Sequence, residues 1–374
     1  MAVSKKFFII AGERSGDIHG GMLMESIHKL DPNIEFLGIG GTNMESNGLQ
    51  SLVPMNKMSV IGFVEVIKHL SFFKQVAADV LSAIDKHKPD RIILIDFPGF
   101  NLHITQKIKA KYNIPITYYI SPQIWAWKEK RIQIIKKHID QMLVILPFEK
   151  EWYAKRGVEV DWIGHPYLDH PESNLSKKEL KTEYGVAEDE LLLTLFPGSR
   201  QQELDKHIDL LINVAKTLLS KNTNLKIGIG LAPGVQLSKK YDELSVVESD
   251  DSHRLLGASD LLITASGTAT LEAAILGIPM AVVYQLNMLT WMLSKLLIKL
   301  DYIALPNIIL NKPAVPEFIQ TNAKSDGIAD YMQNIINDSQ LRESISKELS
   351  SIKDVLGDSG ASDRAAEKIL NDEK

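Results

Sequence analysis

Strand-length apolar runs that alternate with helical stretches govern what this chain can fold into, and the alternation occurs twice. In the first half the runs are Lys6–Ala11 (KFFIIA), Asn33–Ile39, Arg91–Asp96 (RIILID), Pro115–Ile120 (PITYYI) and Gln141–Leu146 (QMLVIL). Between them, Gly20–Leu30, Val76–His87, Leu102–Tyr112 and Lys130–Ile139 read as helices, with Met22, Leu23, Ile27 and Leu30 at helical spacing in the first. Runs that are apolar throughout belong to strands buried on both faces, as in a parallel sheet covered by helices. The pattern restarts with Leu191–Phe196 (LLLTLF), Leu225–Gly230 (LKIGIG), Leu261–Ala265 (LLITA) and Met280–Tyr284 (MAVVY), with helices over Gln201–Ser220, over His253–Ala258 and within SGTATLEAAILG. The polar, proline-marked GHPYLDHPESNLSKKEL between the halves reads as a linker. The expected fold is α/β, two doubly wound Rossmann-like domains facing across a cleft. They span residues 1–168 and 169–350, followed by a C-terminal helix in 351–374 that can cross back to the first domain.

The chain has 374 residues, 45% hydrophobic and 24% charged, which is the composition of a globular protein. A net charge of −5 gives no electrostatic case for binding nucleic acid. The absence of cysteine excludes disulfides, thiol catalysis and thiolate metal sites. No stretch approaches ~20 uninterrupted apolar residues, so no transmembrane helix is expected. The apolar run in MAVSKKFFIIAGERSGD is too short for a secretory signal. A cytoplasmic location is expected.

Six segments carry chemistry. AGERSGD follows the first strand, where Gly12, Ser15 and Gly16 permit a tight turn. Glu13 and Asp17 suit sugar hydroxyls better than a bare pyrophosphate; the alternative is an ordinary strand-to-helix turn. IDFPGFN puts Asp96 at the carboxyl end of a strand, where ligands of open α/β sheets gather. Asp96 is a candidate general base, its proton affinity raised by Phe97, Pro98 and Phe100, or else a helix cap. Asn101 and, in SPQIWAWKEKR, Gln123, Trp125 and Trp127 are candidates for acceptor or sugar contact, the tryptophans competing with a plain core role. FPGSRQQEL offers Gly198, Ser199 and Arg200 at a helix start, with Arg200 able to grip phosphate in a bidentate fork or to form a surface salt bridge. SGTATLE offers Ser266, Gly267, Thr268 and Thr270 as a diphosphate cradle, and Glu272 for ribose hydroxyls or for the helix dipole. Asn307 in LPNIIL is a ligand contact or a turn former.

Two segments mix apolar and basic residues as a lipid-facing surface does: residues 58–76, with Val64, Ile67, Phe72 and Phe73, and residues 288–305. Either is alternatively a buried helix. His19 and His165 read as structural. Asp250–Asp251 reads as solvated, and no metal or other cofactor is implied.

GERSGD, IDFPGFN, SPQIWAWKEKR, LPFEK, IGHP, LFPGSR, SGTATLE and LPN stand in the order typical of lipid A disaccharide synthase, which the whole chain resembles. The resemblance implies the GT-B fold and transfer of a sugar from UDP-2,3-diacylglucosamine to 2,3-diacylglucosamine 1-phosphate in a β-1,6 linkage, with release of UDP. It implies a metal-independent enzyme, peripheral to the cytoplasmic leaflet of the inner membrane. It points to Asp96 as the base, and to Arg200, Glu272 and Asn307 as UDP-sugar positions. Gly99 departs from the pattern, in which an acid can follow the proline. Other UDP-sugar enzymes of the same fold, such as a UDP-N-acetylglucosamine 2-epimerase or a peptidoglycan-type glycosyltransferase, are the nearest alternatives. A non-catalytic nucleotide-sugar-binding protein is a more distant one.

Overall fold

The computed structural model describes residues 4–55, 58, 70–169, 176–232, 234–238, 241, 246–249, 251–285 and 301–372. The chain divides into two compact units, Met1–Asp169 with Leu356–Lys374, and His170–Val355.

The sheet of the first unit is built from β1 (Lys6–Ala11), β2 (Glu35–Ile39), β3 (Gln50–Ser51), β4 (Arg91–Ile95), β5 (Ile116–Tyr119), β6 (Gln141–Val144) and β7 (Asp161–Trp162). Their order is β3-β2-β1-β4-β5-β6-β7, and every pairing is parallel. Successive side chains of a strand point to opposite faces. Phe8, Ile10, Ile92 and Leu94 accordingly enter one core, while Phe7, Ile9, Ile93 and Ile95 enter the other. Two buried faces explain why these strands are apolar throughout. The strand order reverses direction between β1 and β4, so the carboxyl ends of these two form the topological switch point of the sheet.

The second sheet contains β8 (Leu191–Phe196), β9 (Leu225–Gly230), β10 (Val246–Ser249), β11 (Leu261–Ala265), β12 (Met280–Tyr284) and β13 (Glu317–Ile319). Its order is β10-β9-β8-β11-β12-β13, again all parallel, with the switch point between β8 and β11.

The last helix, Ala361–Leu370, packs within the first unit. Ala365, Ala366 and Ile369 join the core under helix Arg14–Leu30. The Asp169 carboxylate caps this last helix, accepting from the amides of Gly360, Ala361 and Ser362 at 2.6, 3.1 and 2.8 Å. Arg91, on β4, reaches the Asp372 carboxylate and carbonyl, both at 2.8 Å.

Three local readings differ from expectation. The first helix begins at Arg14, not Gly20, so Ser15, Gly16 and Asp17 lie in its first turn and make no loop. Its glycines serve close packing: a Cβ on Gly20 would meet Met44 Sδ at 2.6 Å, and one on Gly21 the Asn43 carbonyl oxygen at 3.0 Å. Asn307 sits inside helix Leu305–Leu310 and not in a turn. Asp251 caps helix Ser252–Ala258, accepting from the Arg254 amide at 3.2 Å, where a solvated loop was expected; Asp250 lies outside the described residues.

Candidate active site

In the first unit, Asp96 directly follows β4 at the switch point. It and Phe97 both take left-handed backbone conformations, φ 41° and 45°, before Pro98 opens helix Pro98–Lys109. Such conformations cost non-glycine residues on the order of 1–3 kcal/mol each and persist only where the surroundings over-determine them. Here the Asp96 amide donates to the Tyr119 carbonyl at 3.1 Å. The Asp96 carbonyl accepts from the Tyr118 hydroxyl at 2.5 Å and from Asn101 Nδ2 at 2.9 Å. The Phe97 ring fills the space beside Gly12, where a Cβ would meet it at 2.3 Å. Gly12 therefore has to be glycine.

Burial raises the proton affinity of Asp96 to a pKa of about 7, and the negative charges of Glu13 and, more weakly, Glu149 push the same way. A carboxylate poised near neutrality has the proton affinity a general base requires. Gly99 is exposed, and a Cβ there would meet nothing within 4 Å.

Glu149 was not singled out in the sequence. It is buried at the third position of helix Pro147–Ala154 and accepts from the Leu146 amide at 2.9 Å, the Trp125 indole at 3.1 Å and the Ser121 hydroxyl. Burial raises it, too, to about 7. It ties the SPQIWAW loop to the sheet, and Trp125 packs edge-on against Phe148 at 5.0 Å. A signal was available, since a glutamate three residues after Leu146, with proline at the first helical position, marks a helix start.

Several expected contact residues are structural. Asp17 is buried, and its carboxylate accepts from the Gly41, Asn43 and Met44 amides and from Asn43 Nδ2 at 2.7–3.1 Å. It fixes helix Thr42–Ser46 and has no oxygen to spare for a sugar. Asn101 is buried, with Nδ2 holding the Ile95 and Asp96 carbonyls, so it fixes the backbone that carries the candidate base. Gly16 is buried in the helix. Glu13 and Ser15 are half-buried, Gln123 is exposed, and Trp127 is 37% exposed. Phe72 and Phe73, expected on a membrane face, are half-buried and pack on the first core, Phe73 meeting Phe100 at 6.1 Å. Val64 and Ile67 lie outside the described residues, as does most of 288–305.

His165 stacks on Tyr167 at 5.2 Å, and the ring of His19 meets Tyr167 edge-on at the same distance. Burial, then His19, lowers His165 to a pKa of about 3, which keeps it neutral.

The second switch point brings together the turns expected to hold a nucleotide. Gly198, Ser199 and Arg200 follow β8; Ser266, Gly267 and Thr268 follow β11. Gly198 has φ 139°, and the Ser199 amide donates to Glu203 at 3.0 Å. Arg200 is exposed and pairs with Glu203 at 3.1 Å. Gly267 and Thr268 are exposed at the start of helix Thr268–Ile275, with open space where a Gly267 Cβ would stand. Thr270 is buried and donates to the Gly267 carbonyl at 2.7 Å, so it shapes the cradle without lining it.

Glu272 is held by His253, another residue the sequence did not single out. Asn307 is buried; Nδ2 donates to the Val315 carbonyl at 2.8 Å and to Glu317 at 2.9 Å, and Oδ1 accepts from the Val315 amide at 2.8 Å. Glu317 in turn accepts from the amides of Ile303 and Ala304, and the Ile303 carbonyl accepts from Ser266. Asn307 thus acts through Glu317 on the backbone that orients Ser266. His207, also buried, bridges the Pro197 carbonyl at 2.7 Å and the Gln285 amide at 3.0 Å, buttressing the Gly198 turn.

No described helix is long and apolar enough to cross a membrane. The fold is similar to that of a UDP-GlcNAc 2-epimerase from Neisseria meningitidis, with a TM-score of 0.70 and 13% identity over 98% of this chain and 100% of that one. The glycotransferase of kitacinnamycin gives a TM-score of 0.65 at 13% identity, over 98% of each chain. At such identities the likeness concerns the fold alone. Sequence similarity reaches further. A lipid-A-disaccharide synthase 1 from Legionella pneumophila is 36% identical over 96% of both chains, and a lipid-A-disaccharide synthase from Trichlorobacter lovleyi 36% identical over 98% of this chain and 97% of its own. One from Coxiella burnetii is 34% identical over 98% of both. The family model for lipid-A-disaccharide synthetase matches residues 7–369. The chain belongs to the lipid-A-disaccharide synthase family.

Proposed function

We propose that this protein joins UDP-2,3-diacylglucosamine to 2,3-diacylglucosamine 1-phosphate through a β-1,6 linkage and releases UDP. The observation that carries the reading is the pairing of family membership with a carboxylate at the first switch point whose proton affinity is tuned to about pH 7. The second unit holds the donor. Arg200, Ser199 and the amides at Ser266–Thr268 meet the diphosphate, while Glu272, steadied by His253, accepts from the ribose.

The first unit holds the acceptor and the base. The acceptor's 6-hydroxyl oxygen attacks the anomeric carbon, its proton passes to Asp96, and the carbon–oxygen bond to UDP breaks with its electron pair leaving on the diphosphate. A single in-line displacement inverts an α-linked donor to a β product. Donors aimed at the departing diphosphate act most strongly as charge develops there, and loss of one typically costs roughly 10²–10³ in rate. Glu13, Ser15, Gln123, Trp125 and Trp127 are the exposed or half-buried candidates that remain for sugar contact.

Acyl chains do not enter water, so both substrates reside in a lipid surface, and we infer that the protein docks on the cytoplasmic face of the inner membrane. Val64 and Ile67 in the apolar-basic segment 58–76 are the residues proposed to meet it. Co-sedimentation with anionic vesicles tests this: Val64→Ser with Ile67→Ser should halve the bound fraction or more, and binding equal to wild type removes the assignment. The reaction itself is tested by incubating the protein with both substrates and measuring UDP. Acceptor-dependent UDP release with a disaccharide product supports the reading. Absence of product, or conversion of UDP-N-acetylglucosamine alone to its manno epimer, refutes it.

A further inference from the structure

The reaction leaves Glu149 without a part, yet its carboxylate is 1% exposed and divides its two oxygens between different segments. Oε2 accepts from the Leu146 amide at 2.9 Å and so belongs to the start of its own helix, Pro147–Ala154. Oε1 accepts from the Ser121 hydroxyl and from the Trp125 indole, the latter at 3.1 Å, and both donors lie in the SPQIWAW loop.

Two backbone bonds of the loop close on the loop itself, Ile124 amide to Pro122 carbonyl at 2.6 Å and Ala126 amide to Gln123 carbonyl at 3.1 Å. Ile124 is buried and Trp125 packs on Phe148, which holds the loop down. The two bonds to Oε1 fix which way it faces. With Trp125 half-buried and drawn to Glu149, Gln123 and Trp127 are left exposed on either side of it.

The loop begins beside the candidate base. Ser121 stands two residues after Tyr119, the end of β5, and the Tyr119 carbonyl accepts from the Asp96 amide at 3.1 Å. In the sheet β5 lies between β4, which leads into Asp96, and β6, which leads into the helix of Glu149. One carboxylate therefore joins the segments that follow two neighbouring strands, at the edge where ligands of open α/β sheets bind. A buried ion is not needed merely to hold a loop, since apolar side chains of similar volume often serve as well or better. What the carboxylate adds is direction: two donors converging on one oxygen admit a narrow range of loop orientations.

We propose that Glu149 is a positioning residue for the acceptor: by holding Trp125 inward it turns Gln123 and Trp127 toward the acceptor sugar. It acts through the loop, without contact to substrate, as residues behind a preorganised site do. The proposal rests on the disaccharide-synthase reading. The unit that holds UDP is not involved.

Steady-state kinetics with both substrates, beside a calorimetric titration of UDP, test it. Glu149→Ala should raise the KM for the acceptor roughly 10-fold or more, with a smaller change in kcat and with UDP affinity kept. Glu149→Gln, which retains an oxygen for Ser121 and Trp125, should recover part of the loss. An unchanged acceptor KM overturns the proposal, as does a loss shared equally with UDP affinity, which marks general damage to the fold. Trp125→Phe keeps a ring against Phe148 and deletes the indole N–H. It should raise the acceptor KM by itself and add nothing to Glu149→Ala; effects that multiply would mean independent roles and overturn the proposal. Should Glu149→Ala not fold, Trp125→Phe decides alone, a wild-type acceptor KM overturning the assignment. Hydrogen exchange reads the anchor apart from the reaction. Amides of residues 121–127 should exchange roughly 10-fold faster in Glu149→Ala than in wild type, and equal exchange overturns the proposal. Faster exchange there with no turnover by wild type would refute the reaction and leave the anchor standing.

Discussion

Glu13 and Asp96 follow neighbouring parallel strands, β1 and β4, whose last residues Ala11 and Ile95 lie in register, and the charge of Glu13 raises the proton affinity of Asp96. A base with a pKa of about 7 is ionised above that pH, so kcat/KM should rise with pH through neutrality. Glu13→Gln removes a like charge, which favours the ionised carboxylate and lowers its pKa. The rising limb should move to lower pH in this variant. A pH–rate profile identical to wild type would show that the titrating group is not Asp96.

Exposed Arg200 and half-buried Glu203 form a surface pair of the kind that contributes ~0–1 kcal/mol to stability. Arg200→Ala should therefore leave the melting temperature almost unchanged while weakening UDP binding by about 10-fold or more, as loss of a charge-assisted phosphate contact does. A calorimetric titration showing wild-type affinity would remove Arg200 from the donor site.

Asn307 is predicted to behave differently. Its amide is buried and fully engaged, so Asn307→Ala leaves the Val315 amide and carbonyl and one Glu317 contact unmet. Each such loss costs about 1–3 kcal/mol. The variant should unfold at clearly lower denaturant concentration and lose UDP affinity only through the displaced Ser266. Weak UDP binding at full stability would instead make Asn307 a direct contact.

His165 sets an acid-stability expectation. Its pKa falls from the ordinary 6.5 to about 3 on folding because the ring is buried, so the folded state disfavours its protonation. The stability it contributes is complete above about pH 6.5 and declines as pH falls toward 3. Denaturant unfolding at about pH 7 and at about pH 5 should differ by on the order of 1–2 kcal/mol from this group. His165→Phe should flatten that dependence; an unchanged slope would contradict the assignment.

The strands were legible because both faces of each sheet are buried. Leu191–Phe196, Leu225–Gly230, Leu261–Ala265 and Met280–Tyr284 match their apolar runs residue for residue. Gln50–Ser51 and Asp161–Trp162, two-residue edge strands, bury little and left no apolar run to read. Asp96 and the two candidate donor turns could be placed from the sequence because they end apolar strands. The roles of Asp17, Asn101 and Asn307 were not, since a polar residue in a motif looks the same whether it faces a ligand or holds backbone amides. Glu149 was missed although its place at a helix start was legible, because its bonds to Ser121 and Trp125 come from another segment, and His253 because its bond to Glu272 does the same.

The division of labour between a base on the first unit and a donor site on the second is tested most directly by one comparison, UDP release by wild type and by Asp96→Asn with both substrates present. The account predicts acceptor-dependent release by wild type and a loss of roughly 10²–10⁴-fold in the variant, with UDP binding retained. Turnover by Asp96→Asn at the wild-type rate would contradict it.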